Sequence, residues 1–110
     1  MEIIQHWKGI AMKVQNMLSN AGNKIANQFV IEQYKQHKHC TVFERVFQSY
    51  NSIIARVTTD PCGPDFVELD KNYWNYSVTT GKYRNQFLNE NKKETQKKIN
   101  SGEYILVDLN

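Results

Sequence analysis

The stretch that most restricts the fold is Val42-Phe43-Glu44-Arg45-Val46-Phe47-Gln48-Ser49, followed after Tyr50-Asn51 by Ser52-Ile53-Ile54-Ala55-Arg56-Val57-Thr58. β-Branched and aromatic residues mixed with polar ones suit a pleated, half-buried surface, so both segments read as strands. The second ends at Thr59-Asp60-Pro61-Cys62-Gly63-Pro64-Asp65, where both prolines and a glycine make a loop. Phe66-Val67-Glu68-Leu69 reads as a further short strand before a polar turn at Asp70-Lys71-Asn72. Upstream, the apolar run Phe29-Val30-Ile31 reads as another, joined to the first through the polar stretch from Gln33 to His39. A chain of 110 residues buries one hydrophobic core, so these strands belong to a single domain, 1–110.

Helical patterns bracket the strands. Ile3, Trp7, Ile10, Val14 and Met17 recur at spacings of 4, 3, 4 and 3, which predicts an N-terminal helix over 2–20. Ser19-Asn20-Ala21-Gly22 would end it, with Gly22 or Asn20 in the left-handed conformation. Near the other end, Ser77 or Thr79 can cap a helix that runs through Tyr83, Phe87 and Leu88. Asn91 and Glu94 stand at capping-box spacing for a second helix, which runs to about Asn100 and is closed by Ser101-Gly102. Tyr104-Ile105-Leu106-Val107 then reads as a well-buried terminal strand. The expected fold is α+β: an N-terminal helix, an antiparallel sheet of about 4–5 short strands, two C-terminal helices and a terminal strand, with the α+β core over 23–110. The stripe around Trp7 packs on this sheet or, as the alternative, forms a homodimer through the N-terminal helix.

Fourteen Lys and Arg against eleven Asp and Glu give a net charge of +3. That balance excludes an acidic mimic of nucleic acid, and it is low for a protein that binds DNA by bulk charge. By segment the charge is +4 over 1–58, −3 over 59–81, +4 over 82–98 and −2 over 99–110. Met1 to Lys8 lack a basic region followed by an apolar one, and no apolar run approaches the roughly 18 residues of a membrane span. The expectation is therefore an intracellular protein without membrane contact. Cys40 and Cys62 would be free thiols there, though a pair 22 apart could bridge in an oxidising compartment.

The basic segment is the main candidate for function. Lys82, Arg84, Lys92, Lys93, Lys97 and Lys98 fall within seventeen residues, against only Glu90 and Glu94. On a helix they would line a face that attracts phosphates, with Tyr73, Trp74 and Tyr76 nearby as stacking or interface anchors. The competing readings are a solvated helix face with ordinary i, i+4 pairs and aromatic residues spent on the core. His37, His39, Cys40 and Cys62 are ligand types that bind zinc, but His37-x-His39-Cys40 lacks the usual spacing, and no metal is expected. Asp60, Asp65, Glu68 and Asp70 cluster without the carboxylate and lysine arrangement of a metal-dependent nuclease, and read as a solvated acidic loop. With no phosphate loop, nucleophile elbow or telling Cys/His pair, the chain is not expected to be an enzyme or to carry a cofactor.

Two separated segments, Phe47 to Ala55 and Trp74 to Leu88, with the ending Ser101-Gly102-Glu103-Tyr104 to Asn110, resemble a family of small phage-encoded proteins without an assigned activity. The likeness covers about 23–110 and leaves the N-terminal segment outside. It implies phage or prophage origin, and with it the cytoplasm of a bacterial host cell, and brings no catalytic residues. Small accessory phage proteins commonly act by binding, and the resemblance implies an inhibitor of a host defence, CRISPR-type nuclease complex. Its partner would be a host protein or ribonucleoprotein, met by protein docking or through nucleic acid; the alternative is a nucleic-acid-binding accessory protein in replication or expression.

Overall fold

Strand pairing in the computed structural model, which describes residues 12–37 and 39–110, builds one six-stranded sheet in the order β1 to β6. The strands are β1 (Met12–Leu18), β2 (Lys24–His37), β3 (Cys40–Ser49), β4 (Ser52–Thr59), β5 (Phe66–Asp70) and β6 (Tyr104–Val107). Each of the first four pairs antiparallel with the next, whereas β6 returns parallel to β5. Parallel neighbours need a crossover of a dozen or more residues. Helices α1 (Val78–Leu88) and α2 (Lys92–Ser101) supply it. The sheet is therefore mixed, where an antiparallel one was expected.

The register aligns Val30, Phe47, Ala55 and Leu69 partner by partner across four strands. All four are buried and form the centre of the core with Met17, Ile54, Phe87 and Tyr104. Helix α1 covers this row through Thr80, Arg84 and Phe87, spaced so that one stripe faces the sheet. The Phe87 ring stacks on Phe47 at 5.7 Å, and the Arg45 guanidinium lies 5.0 Å from the Phe87 centroid. A hydroxyl contact of 3.0 Å between Ser49 and Thr80 fixes the first part of α1 to the end of β3. Both helices carry the expected caps: Ser77 accepts from the Thr80 amide, and Asn91 with Glu94 forms a complete capping box.

The N-terminal helix expected over 2–20 is overturned where it can be compared, since residues 12–18 are strand β1; residues 1–11 lie outside the described residues. The helical spacing that includes Val14 and Met17 misled, and so did Gly22. It does take a left-handed conformation (φ 83°), but in a hairpin turn, where the Ser19 amide donates to the Asn23 carbonyl and the Gly22 amide to that of Ser19. A left-handed glycine ends helices and closes hairpins alike, so it could not decide between them. The exposed backbone edge of β2 decided it, because pairing with β1 satisfies peptide groups that a helix over 12–18 would leave unmatched.

Three other expectations change. Strand β2 is 14 residues long, because it pairs with β1 and β3 along most of its length. Strand β6 is an edge strand; Tyr104 is buried, while Ile105 and Leu106 are 48% and 40% exposed. Cys40 and Cys62 are not free thiols but a disulfide, with Cα atoms 6.2 Å apart. Pairing of Phe43 with Thr59 brings the proline-rich loop beside the start of β3, a juxtaposition that only the sheet creates. No helix among the described residues is long and apolar enough to cross a membrane.

The disulfide closes a loop between residues 22 apart, which restricts the unfolded chain. Replacing both cysteines by serine should lower unfolding free energy by about 2–4 kcal/mol in urea denaturation of the oxidised protein. Coincident curves for the two proteins would show that the bridge does not constrain the chain.

Candidate functional site

The site begins at Asp70, the last residue of β5, which is fully buried. Its Oδ2 accepts from the amides of Asn72 and Tyr73, and its Oδ1 from the amide of Leu109. The Trp74 amide donates to the Asp70 carbonyl, so the chain folds into a tight turn. Burial alone would raise the Asp70 pKa, but donors from Leu109, Asn110, Asn72 and Tyr73 outweigh it and hold the carboxyl below its usual value. One carboxylate thus fastens the turn to the C-terminal tail.

Arg84 holds the same turn from the other side. The residue is 1% exposed; its Nη1 donates to the Trp74 carbonyl at 2.7 Å and its Nη2 to Asn85 Oδ1 at 2.9 Å. The guanidinium lies 5.3 Å from the Trp74 ring centroid, and its Nε has no hydrogen-bond partner among the described residues. Burial pushes its pKa down, opposed by the charge of Glu90, which is itself bonded to other groups. No carboxylate among the described residues forms an ion pair with Arg84.

Between this turn and the helices lies a groove of about 620 Å³, lined by Asn75, Tyr76, Ser77, Val78, Gly81, Lys82, Arg84, Asn85 and Lys92. Its lining holds three cations and no acid. Tyr76 is 49% exposed, braced edge-on by Tyr73 with centroids 5.4 Å apart, and Val78 is 91% exposed at the start of α1. The first turn of α1 carries no acidic residue, so the positive end of its dipole is uncompensated by a local carboxylate.

The sequence candidates therefore divide. Tyr76, Lys82, Arg84 and Lys92 meet at the groove, with Tyr73 behind Tyr76. Lys93 and Lys97 are exposed on α2 but do not line it, and Trp74 is half-buried against the core. Arg84 faces inward rather than joining a solvent-exposed basic face. Lys98 is also committed elsewhere: its Nζ lies 2.7 Å from Glu90 Oε1, an oxygen that also accepts from the Tyr104 hydroxyl, while Thr95 donates to Glu90 Oε2. The bond to Glu90 raises the Lys98 pKa, and these three donors, outweighing burial, lower that of Glu90. Burial, reinforced by the adjacent Glu90, pushes the Tyr104 phenol up to about 12.

Sequence reasoning missed Asp70, Asn75, Gly81 and Asn85 as parts of this site. Asp70 carried a signal, since an aspartate followed by free amides two and three residues on is an Asx-turn pattern. Gly81 carried another, because an interior helix glycine costs about 1 kcal/mol against alanine unless space is needed there.

The acidic segment is occupied by structural bonds. Asp60 accepts from the Cys62 amide, Asp65 from the Asp60 amide, and Glu68 pairs with Arg56 at 2.8 Å. Among the described residues, the metal-ligand types that converge are Cys40, Asp60 and Cys62, with both sulfurs spent in the disulfide; His39 is outside that group.

The chain belongs to DUF8033, a family of unknown function, whose profile matches residues 12–102. The match starts at the first residue of β1, so that strand is part of the family's fold rather than an addition outside it. No curated protein and no solved structure matches the chain.

Two measurements check the supports of the groove. Asp70→Asn should cost on the order of 2–4 kcal/mol at neutral pH, since a charged acceptor of several amides is lost. The folded pKa is depressed, so the wild-type advantage is complete above the unfolded value and disappears as pH falls through the folded one. A gap that persists unchanged to about pH 2 would contradict this assignment. In an absorbance titration at alkaline pH, one tyrosine should ionise near 12, and Glu90→Gln should bring that midpoint down. An unchanged midpoint would remove Glu90 as a cause.

Proposed function

We propose that this protein is phage-encoded and acts by binding, as an inhibitor of a CRISPR-type host defence nuclease complex, with the groove at the start of α1 as its attachment surface. The phage setting rests on the resemblance carried by residues 47–55 and 74–88. The observation that carries the binding role is the meeting of exposed Tyr76 and Val78 with Lys82 and Lys92 around one concave surface without acids. Concave sites of about 300–1,000 Å³ with a few polar groups suit specific ligands, and exposed tyrosines beside cations are the residue types that dominate interfaces. Lys93 and Lys97, exposed on the neighbouring helix and without ion pairs among the described residues, extend the positive field.

A second reading, a nucleic-acid-binding accessory protein of phage replication or expression, is favoured by the same pairing of an exposed ring with unpaired lysines. The two separate by their readouts. Under the first, the purified protein reduces cleavage by a target nuclease complex; under the second, nucleic acid binds and every nuclease tested retains full activity.

Reversing Lys82, Lys92, Lys93 and Lys97 to glutamate together should weaken inhibition by at least about tenfold, because long-range attraction becomes repulsion. Thermal stability should change little, since none of the four holds an ion pair among the described residues. Inhibition that survives the quadruple change would remove the basic surface from the proposal.

A further inference from the structure

We infer that the groove is a subsite for one phosphate-and-base unit of a single-stranded nucleic acid, the phosphate between Lys82 and Lys92 above Arg84 and the base against Tyr76. This inference rests on the binding role proposed above and names the chemistry of its ligand.

The argument starts from Arg84. Buried charges are ordinarily paired, because removing an ion from water is costly. Here a guanidinium with five N–H donors meets one carbonyl and one amide oxygen, leaves Nε without a partner, and has no carboxylate ion pair among the described residues. This unpaired charge, offset only at a distance by Glu90, lies in the wall of the groove whose other two charged residues are lysines. The buried Nε is out of reach of a ligand there, but an anion in the groove is drawn by a positive charge that no carboxylate among the described residues pairs with.

Gly81 keeps that anion's place clear. A Cβ built there would lie 3.7 Å from Nη2 and 3.8 Å from Nη1, which is ordinary contact distance. A longer side chain at 81, a residue of the groove lining, would therefore pass beside both Nη atoms and fill the groove. The sequence keeps glycine inside α1 instead, at the cost in helix propensity that an interior glycine carries.

The ring chooses among anions. An acidic peptide would satisfy the cations but would make no use of a half-exposed tyrosine face, whereas an unpaired base stacks on one. Tyr73 fixes the Tyr76 ring by an edge contact at an interplanar angle of 83°, so the platform is held in place. Asn75 and Asn85 supply amides near the base edge. A duplex offers no free base face and is disfavoured.

Fluorescence anisotropy of a labelled oligothymidylate 12-mer with the full-length protein tests this directly. Binding should weaken with salt at a log–log slope of about −0.7, as expected for one phosphate neutralised on a single strand. Tyr76→Ala and Lys92→Glu should each weaken it by about tenfold. Gly81→Glu should abolish it by giving Arg84 an internal carboxylate, while raising thermal stability because glycine leaves the helix. No binding at low salt, equal competition by polyglutamate or duplex DNA, or wild-type affinity in Gly81→Glu would each overturn the inference. Nuclease inhibition measured on the same variants keeps the two levels apart: inhibition retained without oligonucleotide binding sinks the subsite alone, and binding retained without inhibition sinks the inhibitor role alone.

Discussion

A guanidinium is held inside this protein without a carboxylate partner among the described residues, and much of the architecture at that end of the fold concerns how it is housed. Arg84 reaches its position because α1 lies across the central row of β2 to β5, anchored by Phe87 on Phe47 and Thr80 against Ser49. From there it donates to the Trp74 carbonyl and so fixes the turn that Asp70 holds from β5. The two charges never meet in a bond. Each instead secures backbone, and the segment between them presents Tyr73 and Tyr76 to solvent. The same residues that close the core thus leave a positive groove open.

Lysines of one sequence cluster have separated into two roles. Lys98 sits with Glu90, Thr95 and Tyr104, where a buried carboxylate is satisfied by three donors and ties α2 to β6. Lys82 and Lys92 have no such acid and line the groove, the Lys82 ammonium also lying over the Tyr83 ring. Counting charge along the chain cannot make this distinction, because Lys97 and Lys98 are adjacent and differ only in which side of α2 they occupy. What matters for attraction is a charge without an internal counter-ion, and that is a property of the fold.

Local chemistry was readable where one element carried its whole signal. The caps at Ser77 and Asn91, the closing glycine at 102 and strands β3 to β5 all follow from residues a few positions apart. Long-range pairing was not readable. The stretch 12–18 fits a helical spacing, yet it pairs with β2 because the sheet offers it backbone partners. The disulfide, the exposure of β6 and the inward turn of Arg84 likewise depend on which strands become neighbours. At the site, the aromatic and basic residue types were visible, but their division between groove and interior required α1 to be placed on the sheet.

The central claim is that the groove at the start of α1 is where this protein meets its ligand. Backbone amide NMR of the labelled protein, titrated with oligothymidylate at low salt, tests that claim most directly. The account predicts that shifts concentrate at Asn75 to Lys82, Asn85 and Lys92, with β1 and the Cys40–Cys62 end of the sheet unmoved. Shifts confined to β1 and the opposite end of the sheet, or none anywhere, would contradict it.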